Sequence, residues 1–401
     1  MHNIFDKSLL LELAARCGLH DKSAPAYAHA QAMGADSLLE QIQEARLDGK
    51  GGARFPAHKK MRMLRSRQAP IKHLIINGAE HEPGSFKDDW LQTHHADAVV
   101  EGALCMALAV GATHVHFGIN ETSRDALGAM TKAVEGIGKA HEQPPVLRVH
   151  PISDVYVAGE ETALIQALQG MEPMPTGRPP FPVERGLDGA PTLVHNAETA
   201  AHVPYIVLAG AQAYRELGCS GLGPTLCTFG PEFIHDGVQL VPLGISLNKL
   251  VDKYGGGLRS GEHLLAIQPG GPSSAYLPAG ELDCAFDADA LKARGSSLGC
   301  AAIRAYSNAG DLIAAVQELA DFFATASCGQ CPPCTMQTRM MTTIAKQVAA
   351  GKASPQLIDQ IARIAQVNAD KGLCGLINMP VPPVQSLLQR FPQVLGGDPT
   401  S

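Results

Sequence analysis

Four cysteines near the C-terminal end constrain this chain more than any other feature of its sequence. Cys328, Cys331 and Cys334 lie in the string S-C-G-Q-C-P-P-C, and Cys374 follows forty positions later. Thiolates are soft ligands that hold iron–sulfur clusters or zinc. Two-residue gaps let three sulfurs converge on one side of a cubane, and a distant fourth sulfur closes it. The spacing therefore favours a [4Fe–4S] cluster bound by these four residues.

Two other uses of the cysteines fit the pattern less well. A zinc site usually takes two separated C-x-x-C pairs rather than three clustered cysteines and a remote one. A disulfide framework is not expected in a cytosolic protein. The remaining cysteines occur singly in apolar or mixed settings, which is typical of small buried hydrophobic side chains. They are Cys17, Cys105, Cys219, Cys227, Cys284 and Cys300.

Composition excludes several classes of protein. The chain has 401 residues, 45% of them hydrophobic and 18% charged, which is ordinary for a globular protein with two or three domains. A net charge of −7 argues against nucleic-acid binding. There is no apolar stretch of about 18 residues, so no direct membrane insertion is expected. The N-terminal residues lack the features of a signal peptide, so a cytoplasmic location is expected, with any attachment to the inner membrane made through partners.

Hydrophobic periodicity predicts an α/β protein with four segments. Strand patterns at 73–77, 113–119 and 146–151 alternate with helical patterns at 96–112, 124–138 and 160–170, which indicates a mostly parallel sheet. Ligands of such sheets bind beyond the carboxyl ends of the strands. The predicted segments are a helical lead-in, 1–45; an α/β domain that binds the cofactors, 46–230; a small β-grasp domain, 231–303; and a helical bundle with the cluster, 304–401.

The third and fourth segments rest on local signals. A short strand after residue 230, a turn at Asp236–Gly237 and a strand at 238–241 suggest a hairpin. A helix near 246–254 and a strand at 263–267 complete the β-grasp pattern. From residue 304 onward the apolar spacing is helical. Ser354–Pro355 predicts the start of the third helix of a bundle.

A glycine-rich loop is the first candidate binding element. The string G-K-G-G-A-R-F-P spans residues 49–56, and its glycines would expose backbone N–H groups to a phosphate. Taken alone, the loop is equally compatible with an ordinary turn, because it matches neither common phosphate-binding pattern. A basic run follows, which is either a solvated helix face or a site for phosphates and a partner protein. It comprises Arg54, Lys59, Lys60, Arg62, Arg65, Arg67 and Lys72.

Carboxylates also stand where strands end and helices begin. N-G-A-E-H-E-P-G, residues 77–84, follows a strand, and G-E-E-T, residues 159–162, opens a helix. Carboxylates there can accept hydrogen bonds from ribose or ribityl hydroxyls, although Glu160 and Glu161 also complement a helix dipole in the absence of any ligand. The stiff segment R-P-P-F-P at 178–182 can present an aromatic ring and a cation to an adenine, or it is a proline-rich connector.

Together these motifs resemble the flavoprotein subunit of bacterial complex I and related diaphorase subunits of NAD-dependent hydrogenases and formate dehydrogenases. The resemblance runs from about Leu47 to Phe391. It is carried by GKGGARFPAHKK, NGAEHEPGSFKDD, YVAGEETALIQALQG, RPPFP, GAPTLVHNAETAAHVP, PLGISL, HLLAIQPGG, SCGQCPPC and the late Cys374. The string Asn77–Glu80 and His58 are similar to the flavin-binding subunit of Rnf-type complexes. The family implies an FMN domain, a β-grasp domain of the SLBB type and a helical bundle that binds a [4Fe–4S] cluster.

The resemblance also assigns residues to cofactors. FMN would be bound by Gly49, Gly51, Lys60, Asn77, Glu80, Tyr156, Gly159, Glu160, Asn196 and Thr199. NADH would stack near Phe55 and Phe181, with Glu82, Glu161 and Arg178 reaching its polar parts. Glu82 and Glu161 are the expected catalytic residues, because they would hold the nicotinamide against the flavin. The sequence departs from the family pattern at Arg54, Ala79 and His195.

The implied activity is hydride transfer between NAD(H) and FMN, followed by single-electron transfer through the cluster. A small [2Fe–2S] or other iron–sulfur protein is the expected partner, within a complex that contains a larger dehydrogenase or reductase. Three alternatives remain open: a cluster-bearing scaffold without flavin, a subunit that reduces NAD⁺ for a formate dehydrogenase or hydrogenase, and a zinc-stabilised nucleotide-binding module. The sequence does not decide between NADH and NADPH.

Overall fold

A computed structural model describes residues 3–19, 24–140 and 144–391. The chain divides into two compact units. The first comprises the residues up to His81, then Phe86–Leu226 and Leu240–Leu243. The second comprises Glu82–Ser85, Cys227–Gln239 and the residues from Gly244 onward. The four predicted domains are a finer division than these two units, and their boundaries stay predictions.

A four-stranded parallel sheet organises the first unit. Its strands, in the order β3-β2-β1-β4, are β1 (His73–Gly78), β2 (His114–Asn120), β3 (Val146–Ile152) and β4 (Thr192–Asn196). The pairing of β1 with β4 sets Asn77 opposite Asn196. Asn77 and Asn196 therefore lie at the carboxyl ends of the neighbouring strands β1 and β4, which is where ligands of such sheets bind.

Helices cover both faces of this sheet. They are α1 (Lys7–Arg16), α2 (Pro25–Met33), α3 (Ala35–Glu44), α4 (Ala57–Arg65), α5 (Lys87–His94), α6 (Ala96–Val110), α7 (Arg124–Ala140), α8 (Glu161–Leu168), α9 (Ala197–Ala209) and α10 (Ala211–Glu216). The α6 and α9 helices pack closely because Gly102 faces the backbone of α9. A Cβ atom at Gly102 would lie only 1.8 Å from the carbonyl oxygen of Ala200.

The opposite face combines an apolar core with a row of histidines. Ile75, Val194 and Leu164 belong to one buried cluster that joins the sheet to α8. Beside it, His73 Nδ1 lies 3.0 Å from His116 Nε2, and His116 Nδ1 lies 3.0 Å from His150 Nε2. A neutral imidazole offers one donor and one acceptor, so these rings form a hydrogen-bonded chain as long as they stay uncharged.

Over its described residues, the second unit contains a mixed sheet and six helices. The strands of this sheet lie in the order β6-β5-β9-β7-β8. They are β5 (Pro224–Phe229), β6 (Gly237–Pro242), β7 (Ala266–Gln268), β8 (Leu277–Pro278) and β9 (Ala302–Tyr306). Strands β5 and β6 each have residues in both units. The helices are α11 (Leu247–Lys249), continued by a π-helical turn Leu250–Tyr254, α12 (Ala288–Ala293), α13 (Ala309–Ala326), α14 (Pro332–Ala349), α15 (Pro355–Asn368) and α16 (Val381–Arg390). Within the described ranges no helix is long and apolar enough to cross a membrane.

A single buried core joins α13, α14, α15 and α16. It includes Val316, Met341, Ile361 and Leu387, one from each helix. Tyr276 lies in the same cluster, and its backbone N–H donates to Ser386 Oγ at 2.9 Å. The last four helices are therefore anchored to the loop before β8.

The structure corrects three local predictions in the second half of the chain. No strand lies between residues 231 and 236, because these residues form turns and Phe233 makes only an isolated bridge to Leu258. The strand expected at 263–267 is confined to β7. Residues 304–306 are not helical but complete β9, which pairs antiparallel with β7. The predicted domain boundary at 303/304 therefore falls inside a strand.

Buried histidines predict that the protein loses stability in mild acid. Burial lowers the pKa of His116 and of His195 to about 3 and that of His202 to about 4, whereas an unfolded chain has histidines near pH ~6.5. Below that pH the unfolded chain binds protons that the folded chain does not, so the free energy of unfolding falls as pH falls. The slope is at most about 1.4 kcal/mol per pH unit for each ring.

Urea unfolding at pH 7.5 and pH 5 checks this expectation. We expect a lower midpoint at pH 5, and a smaller difference between the two pH values in a His116→Gln variant. Equal midpoints at both pH values in the unsubstituted protein would contradict the prediction.

Candidate cofactor sites

The ends of β1 and β4 meet the turn before α8 at one edge of the first sheet. Asn77 Nδ2 donates to the carbonyl oxygen of Gly159 at 2.9 Å. Asn196 Nδ2 donates to the carbonyl oxygen of Asn77 at 3.3 Å, and Asn196 Oδ1 caps α9 by accepting from Glu198 N. The structure thus brings together three of the residues predicted from sequence to bind FMN.

The glycine-rich loop lies against the same strand end. The backbone N–H of Lys50 donates to Thr199 Oγ1 at 2.8 Å, which ties the loop to the first turn of α9. A Cβ atom at Gly51 would lie 3.3 Å from Asn196 Cβ, and one at Gly49 would lie 3.2 Å from the carbonyl oxygen of Phe55. Glycines at both positions therefore keep open the space that a side chain would crowd. Such a cradle of exposed backbone suits a phosphate-bearing ligand.

Charged side chains of both signs surround the start of α8. Glu160 caps the helix by accepting from Thr162 N at 2.8 Å, and it is also ion-paired with Arg178. Glu161 accepts from Lys60 Nζ at 2.6 Å and lies 3.9 Å from the Arg178 guanidinium. Lys60 also donates to a carbonyl of β4 at 2.9 Å. The residues predicted to bind FMN and those predicted to bind NADH thus form one network.

The remaining predicted residues are placed as follows. Glu80 accepts from the backbone N–H of Asp88 at 2.9 Å at the start of α5. Tyr156 lies in the 3₁₀ turn that ends at Gly159. Phe55 and Phe181 are 47% and 46% exposed, so both rings present a face to solvent, as a stacking role requires. Glu82 belongs to the second unit, and its role at the nicotinamide stays a prediction.

A buried ionic cluster beneath the site was not predicted from sequence. Lys87 is 2% exposed, and its Nζ lies 2.8 Å from Asp88 Oδ1 and 3.1 Å from Glu198 Oε2. Glu198 Oε1 also accepts from Thr225 Oγ1 and from the backbone N–H of Leu226. Burial would raise the pKa of Glu198, but the charge of Lys87 holds that pKa well below its usual range. Sequence patterns miss such residues because a charge usually indicates the surface.

Arg54 turns towards this cluster. Its Nη2 lies 3.5 Å from Thr225 Oγ1, and its charge contributes to lowering the pKa of the buried ring of His202. Burial, together with the charge of Arg54, lowers the pKa of Lys50 to about 7. Arg54 has a φ of 53°, a conformation that favours glycine and costs other residues of order 1 kcal/mol. The half-buried Arg54 side chain is thus directed towards Thr225.

Cys328, Cys331 and Cys334 lie around the start of α14. Cys331 is the N-cap of that helix and Cys334 lies in its first turn. Thiolates are stabilised at helix N-termini by the helix dipole. Burial raises the pKa of Cys334, whereas a contact with Ser327 Oγ at 3.6 Å lowers it. None of the ten cysteines, all of them in the described ranges, forms a disulfide.

The segment that carries Cys374 returns to the same place. Leu373 N donates to Cys331 Sγ at 3.4 Å, and Gln337 Nε2 donates to the carbonyl oxygen of Ile377 at 2.7 Å. Among the described residues, no three side chains of His, Cys, Asp or Glu are close enough to hold a single metal ion. Three thiols come from one short segment and the fourth from the segment that reaches Cys331, and four thiols suit the four iron corners of a cubane.

Comparison with known proteins identifies the family. The Nuo51 FMN-binding domain matches residues 42–205, and the iron–sulfur binding region of NADH-ubiquinone oxidoreductase F matches residues 314–396. One F subunit of the NADH-quinone oxidoreductase of Rhizobium meliloti is 30% identical over 89% of this chain and 87% of its own length. This chain belongs to the family of NADH-quinone oxidoreductase F subunits. The predicted family resemblance is therefore confirmed.

Further relatives agree with this assignment. The F subunit of Streptomyces coelicolor is 31% identical over 90% of this chain and 83% of its own length. A crystal structure of an NAD⁺-reducing [NiFe]-hydrogenase in the H₂-reduced state superimposes with a TM-score of 0.84 and 31% identity. That match covers 92% of this chain but only 64% of the hydrogenase chain. The predicted α/β fold with a parallel sheet and the predicted FMN and [4Fe–4S] cofactors are confirmed.

Removal of Lys87 tests the buried cluster. Lys87→Met would leave Glu198 and Asp88 buried without their cation, which typically costs about 3–5 kcal/mol of unfolding free energy. Lys346→Met is the matched control, because Lys346 pairs with Asp321 at 3.1 Å with both side chains well exposed, and such pairs contribute under about 1 kcal/mol. Urea unfolding of both variants makes the measurement. An equal decrease in unfolding free energy in the two variants would show that Lys87 stabilises the protein no more than an exposed lysine does.

Proposed function

We propose that this chain is the NADH-oxidising flavoprotein subunit of a larger redox complex. It binds NAD(H) and FMN in the first unit and a [4Fe–4S] cluster in the second. Bound FMN supplies the exchange of a hydride with the nicotinamide and of single electrons with the cluster. The last four helices act as the bundle that binds the cluster, and residues 231–303 act as an SLBB-type β-grasp domain. A small [2Fe–2S] or other iron–sulfur protein takes or delivers the electrons.

The observation that carries this proposal is the convergence of separate motifs at the carboxyl edge of the parallel sheet. The glycine loop, the two strand-end asparagines and the α8 N-terminus come from distant parts of the sequence, yet hydrogen bonds and close packing join them directly. Loops at this edge bind ligands in sheets of this type. Residues from such distant parts of the chain are well placed there to act on one ligand.

The residues of the site would act by orientation. Gly49 and Gly51 let a phosphate-bearing ligand approach the backbone, and Asn77 is held in place by its bond to Gly159. Glu161 lies between Lys60 and Arg178, so its carboxylate is fixed while retaining capacity to accept from a carboxamide. Holding two reactants in alignment converts a bimolecular reaction into an effectively unimolecular one.

Cofactor analysis tests the proposal directly. The full chain, purified without oxygen, should contain FMN, iron and sulfide, with about four irons per chain for one [4Fe–4S] cluster. It should also reduce an artificial electron acceptor with NADH, and NADPH should be compared on the same sample. Iron and sulfide without flavin would instead support the scaffold alternative, and zinc without iron would support the nucleotide-binding module.

Glu161→Gln separates nicotinamide binding from flavin binding. The substitution removes the charge that pairs with Lys60 and Arg178, so we expect FMN to stay bound while the KM for NADH rises by about tenfold, in line with the loss of one charge-assisted hydrogen bond. The exposed Glu12→Gln, which removes only a surface pair with Arg16, is the control. Unchanged steady-state kinetics in Glu161→Gln would remove this residue from the nicotinamide site.

Cys374→Ser separates the cluster from the flavin. We expect the variant to lose the cluster's visible absorbance and most of its iron, because a serine hydroxyl is a poor replacement for a soft thiolate. FMN and NADH–dye activity should remain, since the dye accepts electrons from the flavin itself. Cys219→Ser, at an exposed cysteine far along the sequence from the motif, is the control. Full iron retention in Cys374→Ser would exclude this residue as a ligand.

A second candidate differs only in direction. The structural likeness to an NAD⁺-reducing [NiFe]-hydrogenase supports a subunit through which electrons from another catalytic subunit reach NAD⁺. The same site serves both directions, because the direction of electron flow follows the potentials of the couples at its two ends. Copurified partner subunits would distinguish the two. The position of Arg54 supports retention of flavin, because its guanidinium is directed towards Thr225 rather than across the glycine loop.

A further inference from the structure

His81 is held rigidly beside the candidate flavin site. Its Nδ1 lies 3.1 Å from Asp154 Oδ1, and Asn120 Nδ2 donates to the same carboxylate oxygen at 2.8 Å. Asn120 also donates to the backbone carbonyl of Glu80 at 3.3 Å. The end of β2 and the loop after β3 therefore fix both the ring of His81 and the backbone that precedes it.

The other ring nitrogen of His81, Nε2, has no hydrogen-bond partner in the part of the chain that the structure describes. The side chain is only 4% exposed, and Nε2 is buried without a hydrogen-bond partner among the described residues. A buried polar atom without a partner typically costs about 1–3 kcal/mol. Such an atom calls for an explanation, and a bound ligand is one of the few explanations available.

The surroundings of Nε2 indicate which ligand this is. A Cβ atom on Gly159 would lie 3.8 Å from His81 Cδ2 and 3.7 Å from the carbonyl oxygen of Ala79. Cδ2, the ring carbon bonded to Nε2, therefore lies within van der Waals distance of the Cβ position of Gly159, whose carbonyl accepts from Asn77. Gly159 and Asn77 are two of the residues expected to hold FMN.

Asp154 also decides which form of the ring is presented. A carboxylate accepts hydrogen bonds but cannot donate them, so the proton of a neutral His81 lies on Nδ1. Burial lowers the pKa of His81 despite the nearby carboxylate of Asp154, which keeps the ring neutral. Nε2 therefore presents a lone pair and accepts a hydrogen bond from its ligand.

We propose that His81 is a positioning residue for the flavin, with Nε2 accepting a hydrogen bond from a donor group of bound FMN while Asp154 and Asn120 hold the imidazole in place. The inference rests on the proposed function, because it requires FMN in the first unit. It goes further by assigning a hydrogen-bond acceptor to His81, which lies within the string at residues 77–84 but received no role from the sequence.

Three variants of the full chain test this role. His81→Phe keeps a ring of similar size and removes the acceptor, whereas His81→Gln places an amide oxygen near the position of Nε2. Glu121→Gln is the matched control, because the side chain of Glu121 accepts from the backbone N–H of Asp154, at 3.3 Å, so that the substitution removes a charge from the same neighbourhood. FMN affinity is measured by quenching of flavin fluorescence in the absence of NADH, and the midpoint potential of bound FMN is measured by spectroelectrochemical titration.

We expect His81→Phe to bind FMN about tenfold more weakly, the effect of one lost hydrogen bond, and to shift the potential of the bound flavin. His81→Gln should restore most of both properties, and Glu121→Gln should change neither. A His81→Phe variant with the original FMN affinity and potential overturns the proposal. So does a change in NADH binding alone, which would assign Nε2 to the dinucleotide.

Two further measurements keep these outcomes separable. The ring ¹⁵N resonances of His81 are assigned by their absence in His81→Gln. They should shift when FMN is added to the unsubstituted protein. This measurement does not depend on whether His81→Phe folds. Resonances that stay fixed while FMN binds overturn the inference but leave the proposed function intact. An unsubstituted chain that binds neither FMN nor NADH overturns both.

Discussion

The ion pair of Lys87 with Glu198 is the interaction on which the first unit depends most. It joins the start of α5 to the first turn of α9, and Glu198 extends it to the backbone at Leu226. Burying these charges costs several kcal/mol each, and only their mutual attraction and hydrogen bonds offset that cost. Because Asn196 and Thr199 flank Glu198 at the same helix start, the pair also fixes the residues against which the glycine loop packs.

This arrangement explains why a charged cluster lies beneath a predominantly neutral cradle. The loop itself offers backbone and small side chains, whereas Lys50 and Arg54 direct their side chains to Pro224 and Thr225, away from the loop surface. A phosphate-bearing ligand at the loop would thus be near buried cations without direct contact with them. Interactions in a low-dielectric interior act over longer distances than they do in water. The cluster therefore positions the start of α9, against which the glycine loop packs, rather than contacting a ligand itself.

Much of this molecule could be predicted from its sequence, and the exceptions share a physical cause. Strands β1, β2 and β3 and helices α6 and α7 are long periodic segments, so local patterns locate them to within a few residues. The strand after residue 230 was wrong, because the apolar side chain of Phe233 is buried in a turn rather than in a ladder. Strand β9 was missed for the opposite reason, since its pairing with β7 is long-range and leaves no local signal.

The same holds for the candidate site: sequence motifs identify its residues, but not the residues that contact them. Gly51, Asn77 and Glu161 stand in recognisable strings, so their identity could be predicted while their contacts could not. No single sequence motif contains both His81 and Asp154, because 73 residues separate them. Only folding brings them together, at the point where the end of β2 meets the loop after β3. The role of His81 becomes visible only in the structure, where Asp154 and Asn120 hold its ring and Nε2 has no partner among the described residues. The unpartnered nitrogen of His81 therefore adds evidence for a ligand that a sequence motif does not provide.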